Sequence, residues 1–113
     1  MIILETKPLT VNACWQGRRF KTPAYKDYEI ELGYMLKRYK QYAVSGFVEI
    51  TYKFYLKNWK KSDIGNPEKA LTDILVKNKL IDDDRFIMKL TITKIPSEKN
   101  KIEIILKKHL TDN

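Results

Sequence analysis

Phe47-Val48-Glu49-Ile50-Thr51-Tyr52-Lys53-Phe54-Tyr55-Leu56-Lys57 alternates without a break. Val48, Ile50, Tyr52, Phe54 and Leu56 fall on one face. Glu49, Thr51, Lys53, Tyr55 and Lys57 fall on the other, which predicts a half-buried strand. One face of the strand therefore needs a covering layer, and the flanking segments supply it. From about Tyr25 to Ala43, Tyr28, Leu32, Met35, Leu36, Tyr39, Tyr42 and Ala43 recur at three- and four-residue steps, predicting an amphipathic helix that Ser45-Gly46 ends. Its tyrosines read as core or as a dimer interface. Roughly residues 67–78 form a second helix, in which Ala70, Leu71, Ile74 and Leu75 make the apolar stripe.

The outer segments read as further strands. Residues 2–7 are a short apolar run closed by Pro8, and Phe86 to Ile95 alternates. Pro96-Ser97-Glu98-Lys99-Asn100 is a turn, and Ile102, Ile104 and Leu106 mark a last strand that would pair with the preceding one as a hairpin. The expected order is strand, helix, strand, helix, strand, strand. This is an α+β two-layer sandwich, with helices on one face of a mixed sheet. At 113 residues and 43% hydrophobic content, residues 1–113 are expected to form one domain.

Charge narrows the partners. With 22 basic against 14 acidic residues the net charge is +8, which favours a polyanion. No apolar run approaches the roughly 20 residues of a spanning helix, and Glu5 directly after Met1-Ile2-Ile3-Leu4 argues against a signal peptide. Cys14 is the one cysteine, so no intrachain disulfide forms and a reducing cytosol fits. Between Pro8 and Pro23 an irregular basic and aromatic segment holds Trp15, Arg18, Arg19, Phe20 and Lys21. Guanidinium and ammonium groups there suit phosphates, and the rings either stack on bases or plug the core edge.

The chemistry is expected where the central strand ends. Lys60-Lys61 leads to Asp63 in an Asp63-Ile64-Gly65-Asn66-Pro67 turn, and Asn66 followed by Pro67 starts a helix with Glu68 and Lys69 in its first turn. Asp73, four residues on, is placed to hold Lys69. Asp82, Asp83 and Asp84 then crowd like charges, a cost that a cation, a basic partner or solvent must relieve. A hard divalent ion with few protein carboxylates and several waters is one way to relieve it. An ordinary capped turn and a solvated acidic loop are the other reading of these stretches.

The pattern Asp63-x-x-Asn66-x-x-Lys69-Ala70-x-x-Asp73-x-Leu75, with Asp83-Asp84-Arg85 after a spacer, resembles the signature of the RusA-type Holliday junction resolvases. Pro8-Leu9-Thr10-Val11-Asn12, Trp15, Arg18-Arg19-Phe20 and Tyr25-Lys26-Asp27-Tyr28 are similar to that family's opening segment. The resemblance implies a small, mostly phage-associated, magnesium-dependent endonuclease of the cytoplasm. Such an enzyme acts as a homodimer on four-way DNA junctions, in recombination and repair, by paired symmetric cuts. It further implies catalytic roles for Asp63, Lys69 and Asp84, and metal binding by Asp63 and Asp84 with Asp83. Arg18, Arg19, Lys21, Lys60 and Lys61 are the DNA-binding candidates. One position departs: the family has Asp-x-Asp-Asn where this chain has Asp63-Ile64-Gly65-Asn66. Glu68, Asp82 or Asp83 then substitutes for the lost ligand, or the site is weaker, or the protein binds junctions without cutting them.

Overall fold

A computed structural model describes residues 1–8, 15–16, 20–61 and 66–110; at 15, 16, 20, 21, 61 and 66 it describes the backbone alone. The chain forms β1 (Ile2–Leu4), a ribbon of β2 (Trp15–Gln16) and β3 (Phe20–Lys21), α1 (Pro23–Leu36), β4 (Val48–Leu56), α2 (Asn66–Lys77), β5 (Ile87–Pro96) and β6 (Lys101–Lys108). The larger sheet has the order β1-β6-β4-β5. β4 pairs parallel with β5 and antiparallel with β6, and β1 pairs antiparallel with β6. The sheet is therefore mixed, and the fold is α+β as the alternation predicts.

β4 is the axis of the core. Val48, Ile50, Tyr52, Phe54 and Leu56 are buried while the residues between them are half-buried. Tyr25, Tyr28, Leu32 and Leu36 from α1 and Ala70, Leu71, Ile74 and Leu75 from α2 close over the inward side chains, with Ile102, Ile104, Ile2 and Leu4 from the neighbouring strands. Truncating one of these leucines to alanine is worth about 2–5 kcal/mol in such a setting.

α1 starts two residues earlier than the periodicity indicates. Thr22 Oγ1 accepts from the Tyr25 N–H at 3.1 Å, and Pro23 fills the first helical position without losing a bond. Its far end also differs from expectation. After Leu36 the chain tightens into a 3-10 stretch, Lys37–Tyr42, with non-helical angles at Tyr39. Two side-chain bonds hold that shape: the Tyr39 hydroxyl donates to the Ile3 carbonyl, covering the outer edge of β1, and Lys40 donates to the Asn78 carbonyl. Gly33 packs closely on the residue that follows α2, a Cβ there lying 3.3 Å from Asn78 Oδ1, so a larger residue would need that side chain to give by a few tenths of an ångström.

The expected hairpin of the last two strands does not form. β5 and β6 flank β4 and touch it rather than each other. Residues 97–100 cross the end of β4, where the Leu56 carbonyl accepts from the Ser97 N–H at 3.1 Å and Asn100 Oδ1 accepts from the Lys57 N–H at 3.0 Å. β4 takes the central place because its inward row is the one buried along its whole length, whereas β5 keeps Met88 and Leu90 exposed and suits an edge. Among the described residues no helix is long and apolar enough to cross a membrane.

Candidate active site

α2 carries its polar residues in i,i+4 pairs beside the buried stripe. Lys69 Nζ lies 3.2 Å from Asp73 Oδ1 and 3.8 Å from Asp84 Oδ2, so the lysine bridges a carboxylate on its own helix and one on the segment leading into β5. Asp73 does hold Lys69, as the spacing predicts. The Asp73 hydrogen bond and charge raise the Lys69 pKa above its ordinary value, Asp84 adding to them, and the ammonium stays charged. Exposed ion pairs of this kind are worth about 0–1 kcal/mol. Stability does not account for gathering two carboxylates round one lysine.

The three consecutive carboxylates take different partners. Asp82 Oδ2 accepts from the Gly46 N–H at 2.8 Å, across 36 positions of chain. Asp83 caps the 3-10 turn Asp84–Phe86 by accepting from the Arg85 N–H, and its other oxygen faces Arg85 Nε at 3.8 Å. Its carboxyl is held below the ordinary range, first by side-chain hydrogen bonding with Asp84 and then by the Arg85 N–H. Asp84, with its side chain 52% exposed, is left facing Lys69 and solvent. The crowding apparent in sequence is thus relieved largely by the protein's own N–H groups and Arg85.

Asp84 fits a hard cation in donor type and access, since magnesium takes one or two protein carboxylates and keeps its waters. Among the described residues no three His, Cys, Asp or Glu side chains gather as a metal cluster. Asp63 and Gly65 lie outside the described residues, as do Arg18 and Arg19. Lys21 lies in β3 and Lys61 in the 3-10 turn Trp59–Lys61, both described by backbone only. Lys60 is exposed, its ammonium 5.6 Å from the centre of the Trp59 ring, and Lys94 of β5 donates to the Trp59 carbonyl at 2.7 Å, fixing that turn against the sheet. Of the residues singled out in sequence, Lys69, Asp73, Asp83 and Asp84 are brought together.

Sequence reasoning missed the support behind Lys69. Thr72 Oγ1 donates to Glu68 Oε1 at 2.7 Å, and the buried Tyr52 hydroxyl lies 2.7 Å from Thr72 Oγ1. With the Thr72 proton given to Glu68, Tyr52 is the donor to Thr72. This relay runs from the middle of β4 to the first turn of α2. A tyrosine in an otherwise apolar inward row was the available signal, because a buried hydroxyl needs a partner. His109 has its Nδ1 2.8 Å from Glu49 Oε2 and donates its backbone N–H to the Phe47 carbonyl.

A cationic chain with an ammonium group poised against a solvent-facing carboxylate, at the junction of a helix start and a sheet edge, has the makings of a phosphodiester-cleaving enzyme. The family model of the endodeoxyribonuclease RusA matches residues 7–107, and the chain belongs to that family. RusA proteins are endodeoxyribonucleases that act on branched DNA, the Holliday junction among them, and are generally dependent on a divalent metal. Comparison with the curated proteins finds no match.

Proposed function

We propose that the protein is a phage-related, magnesium-dependent endonuclease that resolves four-way DNA junctions by paired symmetric cuts in recombination and repair, as a homodimer of one-domain chains acting in the cytoplasm. The observation that carries this reading is the Lys69–Asp84 approach of 3.8 Å at the start of α2, on a chain of net charge +8.

Asp84 and Asp63 would hold the ion, with Asp83 behind Asp84. When bound, the ion polarises the phosphodiester and lowers the pKa of an attacking water. Lys69 meets the charge that develops on a phosphate oxygen or on the leaving oxygen, and Asp73 keeps its ammonium in place. Arg18, Arg19 and Lys21 bind phosphates and orient the arms, and Lys60 and Lys61 bind phosphate near the scissile bond. Two-fold symmetry of a dimer would match that of the junction and present one such site to each of two strands.

The test is incubation with a labelled immobile four-way junction and magnesium, beside Asp84→Asn and Asp63→Asn. Paired symmetric products that vanish in both variants support the reading; products that persist in both overturn the site. Gly65 favours a second reading, in which the junction is bound and left intact. A retarded, uncut junction supports it, and cleavage gained on Gly65→Asp would locate the loss at that position.

A further inference from the structure

Two phenylalanines meet beside the acidic turn. The rings of Phe47 and Phe86 lie edge to face, with centroids 5.6 Å apart and planes at 80°. The Arg85 guanidinium carbon lies 5.0 Å from the centre of the Phe86 ring. Phe47 nevertheless remains 44% exposed. An exposed aromatic ring forgoes part of the gain that burial gives it, and a chain free to move would turn it inward. This one is not free. The Gly46 N–H before it is bound to Asp82, its own carbonyl accepts the His109 N–H at 2.9 Å, and the Phe86 N–H is bound to the Asp83 carbonyl at 3.2 Å. The backbone at Phe47 is thus held by two bonds and that at Phe86 by one, and Asp84-Arg85-Phe86 ties the pair to the carboxylate that faces Lys69.

We propose that Phe47, Phe86 and Arg85 form a stacking site for an unpaired or branch-point base of the DNA, setting its phosphate beside Asp84 and Lys69. The inference rests on the nuclease reading above and adds what that reading lacks, a way to tell branched from continuous DNA. A ring accepts any base through its π-face, so the selection is for an accessible face and not for sequence. In intact duplex the bases are stacked on one another and offer none; at a branch point they do. Arg85 adds a planar cation that both stacks and pairs with phosphate. The net charge of +8 on the chain favours DNA over a second copy of it, because a like-charged partner is repelled where a phosphate backbone is attracted.

The test uses a four-way junction carrying 2-aminopurine next to the branch point, with calcium in place of magnesium so that the DNA stays uncut. Binding by the unaltered protein is expected to change the probe's fluorescence. Phe47→Leu is expected to abolish the change and weaken junction affinity roughly tenfold, with duplex affinity kept and the thermal melt unshifted. Phe47→Trp should restore the signal. An unchanged signal in Phe47→Leu, or self-association that this variant abolishes while the signal persists, overturns the proposal. If the protein binds nicked or single-stranded DNA with the same stacking signal but ignores junctions, the resolvase reading falls and the stacking site stands. Absence of binding to every DNA tested overturns both.

Discussion

The hydroxyl of Tyr52, halfway along β4, lies 2.7 Å from Thr72 Oγ1 on α2, and the contact is buried on both sides. It is a polar tie between a sheet and a helix whose other buried side chains in the core are apolar among the described residues. Removing either partner has unequal consequences. Tyr52→Phe leaves Thr72 still bonded to Glu68 and is expected to cost about 1 kcal/mol. Thr72→Val strands a buried phenol and is expected to cost about 2 kcal/mol. Urea unfolding of the two variants measures the difference; equal losses would contradict the relay.

Burial of the same hydroxyl, which outweighs the opposite pull of the Thr72 hydrogen bond, predicts an alkaline limb of stability. Burial pushes the Tyr52 phenol well above its ordinary value of 10.0, so the folded protein holds a proton that the unfolded chain releases. The stabilisation is fully present below pH 10.0 and is lost as pH rises from there through the raised folded value. Stability measured between pH 9 and 11 should fall in the unaltered protein and fall less in Tyr52→Phe.

Lys69 and Asp73 should separate by magnitude. Lys69→Met removes the charge that meets the phosphate and is expected to lower single-turnover cleavage of a junction by roughly a hundredfold or more. Asp73→Asn leaves the ammonium facing Asp84 but loosens it, with an expected loss of about tenfold. Because the Asp73 hydrogen bond is the largest influence raising the Lys69 pKa, the alkaline fall in rate should also move to lower pH in Asp73→Asn. A rate profile identical to that of the unaltered protein would show that Asp73 does not position the lysine.

Glu49 and His109 tie the start of β4 to the end of β6. The His109 hydrogen bond, ahead of its charge and those of Lys107 and Lys89, holds the Glu49 carboxyl below its ordinary value of 4.5. A lowered folded value gives stability that is present above pH 4.5 and lost as pH falls through the folded value. His109→Gln should therefore be less stable than the unaltered protein near neutrality, and the gap should close in acid. Thermal melts at neutral pH and below pH 4 check it.

Local pattern carried most of the fold into view. The inward row Val48 to Leu56 and the stripe Ala70, Leu71, Ile74 and Leu75 are buried where their spacing puts them, because side-chain period and secondary structure are one geometric fact. Strand order was not legible. Ile87–Pro96 and Lys101–Lys108 are joined by a turn short enough for a hairpin, and nothing within that span registers a third strand entering between them. The site divides in the same way. Lys69 with Asp73 follows from helix spacing, and Lys69 with Asp84 from the family resemblance. The fates of Asp82 and Asp83 depended on Gly46 and on the start of a turn, and charge counting along the chain sees neither.

The insertion of β4 between β5 and β6 bears on how the chain comes to fold. The antiparallel partner of Ile2 is Ile104, and both outer neighbours of the central strand are made after it. The larger sheet holds no hairpin among the described residues: β4 and β5 pair in parallel across α2, and β1 joins β6 from the far end of the sequence. Folding that depends on such sequence-distant pairing is expected to be slower than that of a helical bundle of the same length.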